Sequence, residues 1–363
     1  MTMDSAQRPL RLGLFDILQI DPLRNLDVPT MLSERLDDIE RIDRLGYDAA
    51  FVAERHFLTQ FAAASATAWA AAASQRTTRL RLGVLAYTLP IKAPVQLAED
   101  IAMLDALTNG RLEVGFGMGH RVEELVALGV DPNRRIPLFQ ERLAVLKALL
   151  TGGAVTYERN GLTLRGVAVS PVPVQEPYPP LWFAGSDPTA SRWMAASGLG
   201  LAVGFKPTSM LAPAVESYLA GLDNRTAEVI AAEPERPLGR VALMRSVIVG
   251  ESDQRVREEV IDDLLRLGEL LDGQQPATTR GERREGANER FDEMIRDEVM
   301  IAGSVDTVAS AIRTTRAKLP FDLFLASPYA MGASRERITT TLDLLAGPVR
   351  EILASKETVA GPS

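Results

Sequence analysis

A chain of 363 residues with 46% apolar and 24% charged side chains can bury a sizeable core and lies far from disordered or fibrous compositions. Its formal charge of -8 opposes a nucleic-acid or anionic-membrane partner, because phosphate binding needs a clustered cationic excess, and favours a small-molecule substrate. The absence of cysteine rules out disulfides, thiolate metal sites and a cysteine nucleophile. No apolar run is long enough to span a bilayer, and Met1 to Arg8 lacks a signal-like core, so a cytoplasmic location is expected.

In chain order, short apolar runs alternate with amphipathic stretches, the pattern of a parallel α/β fold. Strands are predicted at Arg11 to Phe15, Tyr47 to Ala53, Leu80 to Leu85 and Leu112 to Phe116. Between them, Leu32, Leu36, Ile39, Ile42 and Leu45 mark one helix face, ended by Gly46. An alanine-rich helix from about Ala62 to Ser74 has a smooth surface suited to a dimer contact, and Pro94 opens a helix that stops at Asn109 and Gly110. After a helix from Pro137 to Leu150 the alternation breaks. Asn160 and Gly161 form a hairpin turn signal and Ser170 to Pro180 is a proline-rich spacer, so residues 153–180 read as an insertion. Strands resume at Leu181 to Ala184, Leu199 to Val203, Leu243 to Val249 and Phe321 to Ala326, making eight. The expectation is a single (β/α)8 barrel over residues 1–363, with its reaction centre at the carboxyl ends of the strands. Within residues 251–298 the polar run Gln274 to Arg290 reads as a mobile surface loop or lid, or as an insertion without a role.

Both histidines of the chain fall just beyond a predicted strand, His56 after the second and His120 after the fourth. That shared rim favours function over a structural role for each. The series Gly115, Gly117, Gly119 lets backbone approach a flat or phosphorylated ligand, but it lacks the helix and the acidic residue of a dinucleotide fingerprint. In Gly185-Ser186-Asp187-Pro188-Thr189, Ser186 or Asp187 caps a helix whose N-terminus can also receive a phosphate, provided that Asp187 points away. No Ser/His/Asp triad is assignable, and two histidines without a thiol are a poor metal set.

The run Phe51 to Phe57 (FVAERHF), the segment Pro94 to Asp100 leading to Leu104 to Gly119 (LDALTNGRLEVGFGMG), and Pro179 to Ser186 (PPLWFAGS) resemble the bacterial luciferase-like monooxygenases. The resemblance runs in order from about Arg11 to Phe205, with a looser echo at Val299 to Thr307 and Phe321 to Ala326. It implies a luciferase-like (β/α)8 TIM barrel with insertions, usually a homodimer. It also implies reduced FMN delivered by a separate flavin reductase, with dioxygen as co-substrate and one oxygen atom passed to a small organic molecule.

Carried over by position, Ser186 and Thr189 bind the flavin phosphate beside Gly185, and Leu85 and Ala86 form a non-proline cis peptide against the ring. Gly117, Met118, Gly119, His120 and Phe205 line the flavin, while Glu54, Arg55 and His56 form the reaction face. Two positions depart from the family pattern. Arg55 stands where a histidine is common and cannot act as a base, so it is expected to stabilise negative charge, leaving His56 as the proton shuttle. Met118 replaces a phosphate-binding arginine, which leaves three alternatives: a weakly bound flavin, a flavin held by another cation such as Arg121 or Lys206, or no flavin. Two other readings stand beside this one: hydride transfer with a deazaflavin coenzyme, and a cofactor-free binding or partner subunit on the same barrel.

Overall fold

The alternation resolves, in a computed structural model, into a closed ring of eight parallel strands surrounded by helices. Residues 8–226, 229, 240–272, 280–330 and 332–355 are described. The ring comprises β1 (Arg11–Asp16), β2 (Ala49–Val52), β3 (Arg81–Thr88), β4 (Leu112–Gly117), β7 (Leu181–Ala184), β8 (Gly200–Gly204), β9 (Val241–Val249) and β11 (Leu323–Ser327), in that order. It closes because β9 pairs with both β8 and β11, and β11 pairs with β1. All eight expected strands are present. A ninth, β10 (Met300–Gly303), was not anticipated; it is four residues long and pairs with Ser246–Val249 at the end of β9.

The helices are α1 (Val28–Leu45), α2 (Ala66–Ser74), α3 (Pro94–Leu107), α4 (Val122–Ala127), α5 (Arg135–Leu150), α6 (Pro188–Ala196), α7 (Thr208–Gly221), α8 (Asp253–Asp272), α9 (Arg280–Arg296), α10 (Val305–Lys318), α11 (Arg335–Leu344) and α12 (Arg350–Ala354). Their ends follow local chemistry: Asp27 accepts from the Thr30 amide to start α1, and Gly46 at φ 82° stops it. No helix among the described residues is long and apolar enough to cross a membrane.

Strand side chains alternate between two cores. Outward residues such as Leu14, Leu82, Val114, Leu201 and Phe324 join the helices in one large cluster. Inward residues Phe15, Phe51, Leu85, Trp182, Met244 and Leu325 fill the barrel itself. Gly83 and Gly115 make that filling possible: a Cβ at Gly83 would lie 2.3 Å from the Phe51 ring, and one at Gly115 2.4 Å from Leu85 Cδ1.

Asn160 and Gly161, at φ 51° and 85°, turn β5 (Val155–Arg159) into β6 (Leu162–Val167), an antiparallel pair outside the barrel. The proline-rich stretch that follows crosses the amino-terminal end of the barrel. There Gln175 binds Asp105 through both its backbone amide (2.8 Å) and its side chain (2.6 Å), and accepts from Arg81.

The loop expected within residues 251–298 is corrected. Arg280 to Arg290 belong to α9, which packs on α8; the earlier part of the polar run, 274–279, lies outside the described residues. Val256, Val260 and Ile261 of α8 meet Ala287 and Phe291 of α9 over Ile248 and Met300, and Arg257 bonds Asn288 at 3.1 Å. Each helix needs only one narrow apolar stripe for this packing, so mean polarity misled the reading.

Candidate active site

The carboxyl-terminal rim is stitched together by polar contacts between successive strand loops. Beyond β2, the Glu54 carboxylate is buried. It accepts from Lys92 Nζ at 2.6 Å and from the Thr88 amide of β3 at 3.4 Å, and His56 Nε2 lies 3.2 Å away. Beyond β4, Arg121 donates to the His56 carbonyl at 2.9 Å, and Glu124 of α4 accepts from the Thr88 hydroxyl at 3.2 Å. The loops after β2, β3 and β4 are thus one unit. Beyond β7 and β8, Lys206 Nζ donates to Ser186 Oγ at 2.9 Å. Phe205 closes the ring by contacting Phe15 of β1, with centroids 5.7 Å apart.

The Leu85–Ala86 peptide is cis. Leu85 joins the barrel-filling cluster, while Ala86 is half-buried. Beside it Gly117 leaves open space: a Cβ there would meet nothing nearer than Ala86 Cβ at 3.9 Å and the Ala184 carbonyl at 4.0 Å. That leaves bare backbone among β3, β4 and β7, where a flat group can approach closely. Gly119 takes φ 71°, and Gly185 lies tight against the Phe183 ring. The Met118 side chain packs against the large outer cluster.

Three bulky apolar residues hold left-handed backbone at this rim: Leu18 after β1, Phe57 after β2 and Phe205 after β8, with φ of 49°, 56° and 55°. Such residues rarely adopt that conformation, and outliers of this kind collect at functional sites.

The electrostatics are divided. Burial pushes the Glu54 carboxyl up, but His56 and Lys92 together more than offset it and hold it below the usual carboxylate range. Burial lowers the Arg55 guanidinium, with Glu124 opposing and Arg121 adding to the effect. His120, exposed at the rim, is held below the ordinary imidazole value by partial desolvation first, then by Arg55, Arg121 and Lys206 against an opposing Glu124. The side near β4 and β8 is therefore cationic. Asp187 is the cap of α6, accepting from the Ala190 amide at 2.8 Å with Pro188 in the first turn. Its carboxylate takes that donor, and Thr189, two residues on, is exposed.

A family model described as luciferase-like monooxygenase matches residues 12–323. The chain belongs to this family. Among its relatives, protein y4wF of Sinorhizobium fredii is 32% identical over 244 residues, covering 67% of this chain and 68% of that one. The 4-hydroxyprotoasukamycin monooxygenase of Streptomyces nodosus is 29% identical over 308 residues, covering 81% and 80%. Among solved structures, the oxygenating constituent of 3,6-diketocamphane monooxygenase from Pseudomonas putida, in complex with FMN, superposes with TM-score 0.74 at 15% identity, over 95% of this chain and 98% of that one. An F420-dependent secondary alcohol dehydrogenase gives 0.69 at 19%, over 96% and 100%. Barrels of this fold thus include one in complex with FMN and one described as F420-dependent, and membership of the monooxygenase family makes this chain an oxidoreductase.

Three rim residues of this luciferase-like chain escaped sequence reasoning: Lys92, Thr88 and Glu124. Thr88 lies where β3 continues beyond its predicted end, and Glu124 sits on a helix of six residues, too short to show periodicity. Lys92 did carry a signal, as a lone cation behind an apolar strand and a proline.

Proposed function

We propose that this protein is the oxygenase of a two-component system, binding reduced FMN supplied by a separate reductase and oxygenating a small organic substrate with dioxygen. The observation that carries the reading is the 2.9 Å contact of Lys206 with Ser186, which puts a cation and a hydroxyl together at the start of α6. Lys206, rather than Arg121, is the replacement for the arginine missing at Met118, because Arg121 is already engaged by the His56 carbonyl. Ser186, Lys206 and Thr189 hold the phosphate tail, with Gly185 keeping the turn close. Gly117, Gly119, Leu85 and Ala86 form the bed of the ring, and Phe205 and His120 border it; Met118 contributes backbone. Bound reduced flavin supplies the electrons that activate dioxygen.

The chain's own residues do the rest. Phe205 and Phe15 exclude water from the barrel mouth. Arg55, charged at any working pH, stabilises negative charge that develops near the ring. His56 holds or moves the proton at the reaction face. Glu54 has a 1% exposed side chain and acts through His56 instead of touching substrate. A homodimer in which the alanine-rich face of α2 takes part belongs to the same reading.

Anaerobic titration tests this. Reduced FMN should bind, and Ser186→Ala and Lys206→Met should each weaken it by roughly tenfold to a hundredfold, the loss of about 1.5–3 kcal/mol of charge-assisted bonding. Reduced riboflavin, lacking the phosphate, should be affected far less. Equal weakening of both contradicts the phosphate assignment. Binding of reduced deazaflavin alone replaces oxygenation with hydride transfer, and binding of neither points to the partner-subunit reading.

A further inference from the structure

Lys92 makes the shortest contact to Glu54, and no part of the reading above uses it. Its ammonium is 2.6 Å from Glu54 Oε2, while the other carboxylate oxygen, Oε1, is 3.2 Å from His56 Nε2. The Glu54 side chain is 1% exposed, Lys92 25% and His56 17%, so the carboxylate is shielded and its two partners sit at the edge of solvent. A buried carboxylate needs a countercharge. Two groups are in reach, the Lys92 ammonium and the His56 imidazole, which is a cation only when protonated. The ammonium has the closer contact, and it is fixed in turn by the Tyr87 ring, 5.3 Å from Nζ.

We propose that Lys92 is a positioning residue for the reaction: it takes up the charge of Glu54, so that His56 can stand beside that carboxylate as a neutral imidazole ready to accept a proton. Because Nε2 faces Glu54 Oε1 across 3.2 Å, the carboxylate favours the neutral tautomer that carries its proton on Nε2 and its lone pair on Nδ1. A proton arriving at Nδ1 from the reacting group gives an imidazolium that Glu54 stabilises, and its return restores the starting state. His56 Nε2 has no aligned hydrogen-bond partner in the resting protein, and such contacts tighten in the reacting complex.

Other charged and titratable groups face this trio. Asp100 of α3 interacts with Lys92 and is raised by its own burial; Tyr87 is raised by burial and bonds Thr67 at 2.8 Å. Arg121 holds the His56 carbonyl, and Glu124, Arg55 and His120 surround the next loop. None of these is as close to the Glu54 carboxylate as Lys92 and His56.

The inference rests on His56 as the proton carrier, yet its test needs neither flavin nor substrate. The chain has two histidines, so ring-proton NMR follows both titrations separately in the intact protein. In Lys92→Met the buried carboxylate keeps His56 as its near cation, and the His56 midpoint should move up by about one pH unit or more. Lys92→Arg should restore it, and His120 should stay within a few tenths of its wild-type midpoint. In a Glu54→Gln background the Lys92→Met change should move His56 much less, because the coupling runs through Glu54. A His56 midpoint unchanged by Lys92→Met, or moved equally with and without Glu54, overturns the proposal. If Lys92→Met does not fold, Glu54→Gln alone decides: it should lower the His56 midpoint, and no shift refutes the arrangement. Failure of flavin to bind in the earlier titrations would sink the oxygenase reading while leaving these shifts as measured.

Discussion

The indole Nε1 of Trp182 donates to Glu113 Oε2 over 2.6 Å in the amino-terminal layer of the barrel, where both side chains are buried. The other carboxylate oxygen accepts from Arg81 Nε at 2.6 Å and lies 3.9 Å from Arg11, while Arg240 stacks 4.8 Å from the Trp182 ring. Burial raises the Glu113 carboxyl, but Arg81, Arg11 and Arg240 more than offset it and leave it below the usual range. Glu113→Gln therefore leaves cations facing a neutral amide. A loss of about 3–5 kcal/mol is expected, as for breaking a buried pair from one side. Urea denaturation measures it. FMN affinity of the folded variant should be unchanged, since this layer is at the opposite end from the rim.

Asp43 offers a pH test of stability. It accepts from the amides of Thr78, Arg79 and Leu80 at 2.9, 3.0 and 2.6 Å, tying the end of α1 to the start of β3. Burial raises its pKa, but the three amides together lower it by more, for a net depression. A depressed carboxyl contributes stability above its unfolded value of about 3.9, and that contribution is lost as the pH falls through the lower folded value. Asp43→Asn should cost about 1.5–3 kcal/mol at neutral pH. The gap from wild type should shrink in acid; a gap independent of pH would show that the charge is unimportant.

Gly117 separates site from scaffold. Its Cβ position is free, so Gly117→Leu should fold with a change within about 1 kcal/mol, the scale of a strand glycine substitution. The leucine would then occupy the open space beside Ala86. Retained thermal stability with abolished FMN binding is expected from melting curves and the anaerobic titration. Undiminished FMN binding would place the ring elsewhere.

Much of the rim was legible because residues that follow directly on a strand inherit its position. Glu54, Arg55, His56, Gly117 and Ser186 all follow or end strands whose apolar runs are plain. The Glu54–Lys92 pair was not legible, since the two residues are 38 apart in the chain and come together only because β2 and β3 are neighbours in the ring. The contacts of Lys206 with Ser186 and of Arg121 with the His56 carbonyl were not legible for the same reason: both are single cations after strands, and their partners lie on other loops.

The order of strands and helices, the closure into a barrel and the end at which polar residues gather were already determined by this sequence, because hydrophobic period and turn chemistry are local properties. The helical pair α8–α9 and the short β10 depended on tertiary structure, since an apolar stripe of a few residues is stable only against the surface it covers. Which cation meets which anion was likewise a tertiary matter. Charges select partners by distance and burial, and chain spacing encodes neither.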